Sequence, residues 1–174
     1  MPLSHSLVID RVSPDSCFFN SRFESGNLKH VRRVSEQEYH LYLAFDQNNE
    51  RNQTQWFYFS VMNIKKGQTV TLSIMNLYKD DSMYGQGQKP YFFSTKANSL
   101  EGKTWRRGGF NISYYRNDRS LYANVQDTDA KLAKHKTPPA YYQEKDGKKN
   151  RALSTLTFSY TFDYDKDCVY FAHF

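Results

Sequence analysis

The chain has 174 residues, a net charge of +6 and 17% aromatic side chains, a size that suits one domain able to bury most of its own apolar surface. Its two cysteines, Cys17 and Cys168, stand near opposite ends, which is not the pattern of a secreted disulfide scaffold, and buried free thiols are expected. No stretch approaches the ~20 apolar residues of a membrane helix, and "MPLSHSLVIDRVSPDSC" lacks the parts of a signal peptide, so a soluble cytoplasmic chain is expected.

Residues 1–17 read as a lead-in. At 39–45, "YHLYLAF" places Tyr39, Leu41, Leu43 and Phe45 on one face of a strand, and the amide-rich run after it reads as a polar turn. "QWFYFSV" at 55–61 is apolar on both faces, as in a strand covered twice. "TVTLSIM" at 69–75 alternates, with Val70, Leu72 and Ile74 inward. The Lys65-Lys66-Gly67 turn between these two runs predicts a hairpin. "GFNISYYR" at 109–116 supplies another strand.

The segment near 124–150 reads as an insertion, with Pro138-Pro139, Asp146-Gly147 and scattered lysines, and it is longer than compact domains spend on a loop. "DTDAKLAKH" at 127–135 could form a short helix before the prolines stop it. "LSTLTFSYTFDY" then puts Leu156, Phe158, Tyr160, Phe162 and Tyr164 on one face, and "DKD" turns the chain into "CVYFAHF". The expectation is a single mainly β domain over 18–174, an antiparallel β-sandwich of about eight or nine strands.

Signals for chemistry are sparse. None of His5, His30, His40, His135 and His173 opens a zinc motif. Asp163, Asp165 and Asp167 have calcium-loop spacing, but Cys168 and Phe174 stand where the loop needs Gly and Glu, so a polar hairpin turn is expected. Gly85 and Gly87 lack the rest of a phosphate loop, and no nucleophile elbow occurs. Seven basic residues against two acidic ones lie between Lys131 and Arg151. With "WRRGGF" at 105–110 they could attract nucleic acid or a glutamate-rich peptide, although solvation of sheet edges explains them more simply. No catalytic residue, metal site or cofactor site is read in this chain.

Several stretches carry a resemblance: "FFNSRFESGNL" (18–28), "WFYFSV" (56–61), "IMNLYKDDSMYGQGQKP" (74–90), "WRRGG" (105–109), "ISYY" (112–115) and "LTFSYTFDYDKDCVYFAHF" (156–174). In this order they resemble the N-terminal domain of the cytosolic zinc carboxypeptidases, M14-type metallopeptidases of which several trim glutamates from tubulin, with details nearest the cytosolic carboxypeptidase 6 branch. The resemblance implies a non-catalytic domain whose Tyr-Phe-Ala strand runs on into a zinc-bearing catalytic domain that this sequence does not contain; one zinc is expected there and none here.

By position, Phe23, Glu24, Ser25, Gly26, Asn27 and Leu28 match the family signature. Gly26-Asn27 suits a turn of positive φ, and Glu24 is expected to bond neighbouring amides. The signature residues, with Tyr170, Phe171 and Phe174, are the candidate contact with the catalytic domain. Arg106, Arg107, Lys134, Lys136, Lys148 and Lys149 are the candidate contacts to the acidic tails of glutamylated tubulin or another protein, in the cytoplasm or at microtubules and cilia. Nucleic acid is disfavoured as partner and no membrane is implied. The alternatives are a stand-alone module binding nucleic acid or carbohydrate through exposed tyrosines, and a scaffold with no ligand.

Overall fold

The computed structural model describes residues 8–10, 13–45, 54–117 and 153–173. Among them eleven strands form: β1 (Val8–Asp10), β2 (Phe18–Asn20), β3 (Leu28–Arg33), β4 (Glu38–Leu43), β5 (Tyr58–Met62), β6 (Thr69–Leu77), β7 (Tyr91–Ser94), β8 (Arg106–Arg107), β9 (Phe110–Arg116), β10 (Ser154–Thr161) and β11 (Val169–Ala172). One helix, α1 (Thr95–Glu101), and one 3-10 turn, Met83–Gln86, complete the described elements. Six strands make one sheet in the order β1-β3-β4-β6-β10-β9, and five make the other in the order β2-β5-β11-β7-β8. The expected mainly β sandwich is therefore present, with eleven strands instead of eight or nine. Two of its pairings, β1 with β3 and β4 with β6, are parallel.

Period-two alternation explains the core. Tyr39, Leu41 and Leu43 of β4, Val70, Leu72 and Ile74 of β6, and Leu156 and Phe158 of β10 are fully buried on the inner face of the six-stranded sheet. Phe19, Phe59, Phe92 and Phe171 meet them from the five-stranded sheet: Phe19 lies 5.0 Å from Tyr39, Phe92 4.9 Å from Tyr160, and Phe171 5.7 Å from Phe158 between ring centroids. Each such side chain contributes roughly 1.5–3 kcal/mol through burial alone.

The hairpin expected between 55–61 and 69–75 does not form. β5 pairs with β2 and β11, whereas β6 pairs with β4 and β10. The Lys65–Gln68 turn carries the chain across the sandwich instead, with Gly67 at φ 78° and its N–H donating to the Phe162 carbonyl at 2.8 Å. Both strands bring an apolar face to one core, so sequence periodicity cannot tell a neighbour in the same sheet from one opposite. The same holds for "DKD", which leads from β10 in one sheet to β11 in the other. Cys17 is buried, Cys168 half-buried, and both are free.

Helix α1 has a clear local cause. Ser94 at its N-cap accepts from the Ala97 N–H at 2.9 Å, and Gly102 ends it at φ 66°. The possible helix at 127–135 and the insertion near 124–150 lie outside the described residues.

Candidate functional site on the five-stranded sheet

The outer faces of the two sheets differ in chemistry. On the six-stranded sheet, cross-strand hydroxyls pair with one another: Thr69 with Thr161 at 2.7 Å, Thr71 with Ser159 at 3.0 Å and Ser73 with Thr157 at 3.0 Å. Glu38 and His40 pair beside them at 3.4 Å. Burial lowers the His40 pKa, against the pull of Glu38.

The outer face of the five-stranded sheet is aromatic. Phe23 meets Tyr58 at 4.8 Å and Tyr170 at 5.5 Å, Tyr58 meets Trp105 at 6.0 Å, Trp105 meets Phe93 at 5.5 Å, and Phe93 closes the ring on Tyr170 at 6.2 Å. Trp105 remains 40% exposed. The two halves of the candidate interface, the signature corner and the β11 strand, thus come together through Phe23 and Tyr170. Phe171 does not belong to that surface: odd positions of β11 point inward, and Phe171 is buried against Phe59. Phe174 is outside the described residues.

The signature corner works differently from expectation. The positive φ falls on Ser25, at 64°, not on the Gly26-Asn27 pair. Gly26 is required for space, because a Cβ there would stand 2.1 Å from the Ser21 carbonyl oxygen. Asn27 is buried, donating from Nδ2 to the Trp56 carbonyl at 2.8 Å and accepting on Oδ1 from the Tyr58 N–H at 3.0 Å. Its backbone N–H donates to the Tyr58 carbonyl at 3.2 Å, and its own carbonyl accepts from Ala44 at 2.7 Å. Asn27 therefore ties the six-stranded sheet to the start of β5. Leu28 is core, and Glu24 is exposed with no bond to a neighbouring amide among the described residues.

Beside the aromatic ring a cavity of about 490 Å³ is lined by Ser25, Trp56, Phe57, Tyr58, Trp105, Ala172 and His173. The small Ala172 side chain lies in β11 between its cross-strand partners Tyr58 and Tyr91. Nδ1 of His173 lies 3.2 Å from the Tyr84 hydroxyl, which also donates to the His173 carbonyl at 3.2 Å. Burial, then the positive charges of Lys79 and Arg107, hold the His173 pKa below the ordinary 6.5, so the ring is neutral at pH 7.

A pH dependence follows with a definite sign. A histidine whose folded pKa is depressed binds fewer protons folded than unfolded, so its contribution to stability is complete above the unfolded pKa and is lost as pH falls through the folded one. His173 and His40 both act in this direction. The urea midpoint is expected to fall between pH 7 and pH 5.5, and to fall less in His173→Gln. A midpoint that is flat in wild type, or that falls equally in the variant, contradicts the assignment to His173.

Arg106 and Arg107 take opposite sides. The half-buried Arg106 holds its guanidinium 4.9 Å over the core ring of Phe92, with Nε buried and unbonded among the described residues. Arg107 is exposed, stacked 4.3 Å over Tyr91, and donates to the Lys89 carbonyl at 2.9 Å. Lys134, Lys136, Lys148 and Lys149 lie outside the described residues. Among those described, no group of three or more His, Cys, Asp and Glu side chains could hold a metal ion. Trp105 opens the "WRRGGF" stretch that the sequence marks as a candidate binding segment, whereas Trp56, Tyr58 and Phe93 are not marked as site residues by the sequence; both tryptophans of the chain line the cavity, and their scarcity is a signal for Trp56.

Comparison with known proteins gives three findings. The family model described as cytosolic carboxypeptidase N-terminal domain matches residues 19–142. Cytosolic carboxypeptidase 2 of Xenopus tropicalis is 39% identical over 155 residues, 89% of this chain and 13% of that protein. Cytosolic carboxypeptidase 3 of Bos taurus is 33% identical over 159 residues, 91% of this chain and 13% of that protein. The chain thus spans less than a fifth of the length of these relatives. Its fold is similar to part of a solved metallo-carboxypeptidase from Burkholderia cenocepacia, with TM-score 0.50 at 14% identity over 91% of this chain and 29% of that one.

Proposed function

Because the chain belongs to the cytosolic carboxypeptidase N-terminal domain family, we propose that it serves as the non-catalytic accessory domain of a cytosolic metallocarboxypeptidase and docks on the catalytic domain through the aromatic outer face of its five-stranded sheet. The parent enzyme, in this reading, removes glutamates from tubulin or another glutamylated protein, in the cytoplasm or at microtubules and cilia, and holds its zinc on residues outside this domain. Placement near the cytosolic carboxypeptidase 6 branch belongs to the proposal alone, since the relatives named above are types 2 and 3.

The closed aromatic ring on the five-stranded sheet carries the docking reading; the six-stranded sheet also exposes Phe110 and Tyr115, but on its edge strand β9 beside the hydroxyl row. A satisfied hydroxyl row costs free energy to desolvate and gains little from a protein partner. A ring of half-buried Phe and Tyr side chains with an exposed Trp gains most from being covered, and such side chains dominate the buried centres of interfaces. Arg107 at its edge supplies a cation toward an acidic substrate tail.

Hydrogen exchange of the 174-residue chain and of its full-length parent tests this. Residues 23–27, 54–58 and 103–108 are expected to gain protection in the longer protein, while exposed amides of β9 on the six-stranded sheet do not. Protection confined to the six-stranded sheet, or none at all, sinks the docking face. A second reading, a stand-alone module stacking glycan rings or nucleobases on the same aromatics, has the exposed Trp105 in its favour. It predicts a saturable change in tryptophan emission on adding oligonucleotide or oligosaccharide, which the docking reading does not.

A further inference from the structure

We propose that the cavity framed by Trp56, Tyr58, Trp105, Ala172 and His173 is an anchor site for one bulky apolar side chain carried on an acidic peptide segment. This rests on the reading of the sheet face as a docking surface, and it names the chemistry of what sits at its centre. The lining gives the first half. Four aromatic residues, Trp56, Phe57, Tyr58 and Trp105, stand beside the small Ala172 side chain, in a volume of about 490 Å³ that falls within the usual range for enclosing a small group. Ala172 is what leaves the space: its cross-strand neighbours are Tyr58 on one side and Tyr91 on the other, and a larger side chain would occupy the gap between them.

Charge gives the second half. An aromatic cage of this kind could instead receive a cation over its ring faces. Arg107 stands one strand beyond the cavity wall: Ala172 pairs with Tyr91, and Tyr91 pairs with Arg107 and lies under its guanidinium. His173 adds no negative charge of its own. Arg107 is held in place by stacking on Tyr91 and by its bond to the Lys89 carbonyl, so its charge does not swing away when a ligand arrives. A cationic guest would be repelled there, whereas carboxylates flanking an apolar anchor would be drawn in, and this sets specificity as well as attraction.

The test uses the chain's own reporters, since its two tryptophans both line the cavity. Tryptophan emission of the 174-residue chain is followed while adding the capped peptide Glu-Glu-Phe-Glu-Glu, the same peptide with Ala at its centre, and the Phe-centred peptide with Lys flanks. The first should give a saturable change, with affinity about tenfold or more above either control. In Arg107→Glu the order of the Glu-flanked and Lys-flanked peptides should reverse, and in Ala172→Leu the response should disappear although the chain still unfolds cooperatively. No response in wild type, equal response to the Phe and Ala peptides, or tighter binding of the Lys-flanked peptide overturns the proposal. Failure here with exchange protection retained in the full-length protein removes the anchor and leaves the docking face. Peptide binding without that protection does the reverse.

Discussion

Asp167→Ala is expected to lower the unfolding free energy by about 2–4 kcal/mol, as befits the loss of a buried acceptor that gathers several hydrogen bonds. Asp167 is only 4% exposed, and its carboxylate accepts from four groups. Ser94 Oγ and Thr95 Oγ1 (2.8 Å) donate from side chains; the N–H groups of Lys96 (3.0 Å) and Cys168 (2.8 Å) donate from the backbone. Ser94 is the same residue that caps α1. One carboxylate therefore joins the start of β11, the end of β7 and the first turn of α1.

In Asp167→Ala all four donors lose their acceptor, but only Ser94 is buried: its hydroxyl carries the full cost of an unsatisfied buried donor, about 1–3 kcal/mol, while the exposed Thr95 and the half-buried Lys96 and Cys168 add less because water reaches them. The four are one network, so their costs do not simply add. Asp167→Asn retains one acceptor oxygen for the Thr95 and Lys96 side and should recover about half of the loss. Urea unfolding of the three proteins, followed by far-UV dichroism, measures both values. A loss below about 1 kcal/mol for the alanine variant would mean that water replaces the carboxylate easily and that the junction is not a structural centre.

Asp167 also illustrates what the sequence conceals. In "DYDKD" the three aspartates look equivalent, yet Asp163 is exposed, Asp165 accepts from the Lys66 N–H at 2.8 Å, and Asp167 is buried. Their difference comes from the turn at residues 65–68 and from the β7–α1 junction, segments distant along the chain. The strands themselves were readable, because Tyr39, Leu41 and Leu43, or Leu156, Phe158 and Tyr160, alternate with polar residues and only one face can enter the core. β11 has no such contrast. Val169 and Phe171 on one side and Tyr170 and Ala172 on the other are all apolar, so the inward direction of Phe171 follows only from the register with β5 and β7. For the same reason the aromatic ring on the outer face was half visible: Phe23 and Tyr170 stood out, while Tyr58, Phe93 and Trp105 join them only through the pairing of four separate chain segments.

The last expectation concerns the corner that holds this face in shape. Asn27→Ala should cost about 2–4 kcal/mol and, in the protein that remains folded, shift tryptophan emission to the red. The backbone bonds of residue 27 to Tyr58 and Ala44 survive the substitution. The side-chain amide is lost, and with it the bonds that fix the Trp56 carbonyl and the Tyr58 N–H on either side of the buried Phe57. Trp56 and Tyr58 are two walls of the cavity, so the loss reaches the site as well as the fold.

Asn27→Asp distinguishes geometry from volume. A carboxylate can still accept from the Tyr58 N–H, but it sets an unpaired oxygen against the Trp56 carbonyl, and the variant should be about as unstable as alanine despite its matching size. If Asn27→Ala loses the expected stability while its folded emission spectrum and peptide response stay those of wild type, then the amide supports the sandwich without shaping the cavity, and the path drawn here from signature residue to binding surface is wrong.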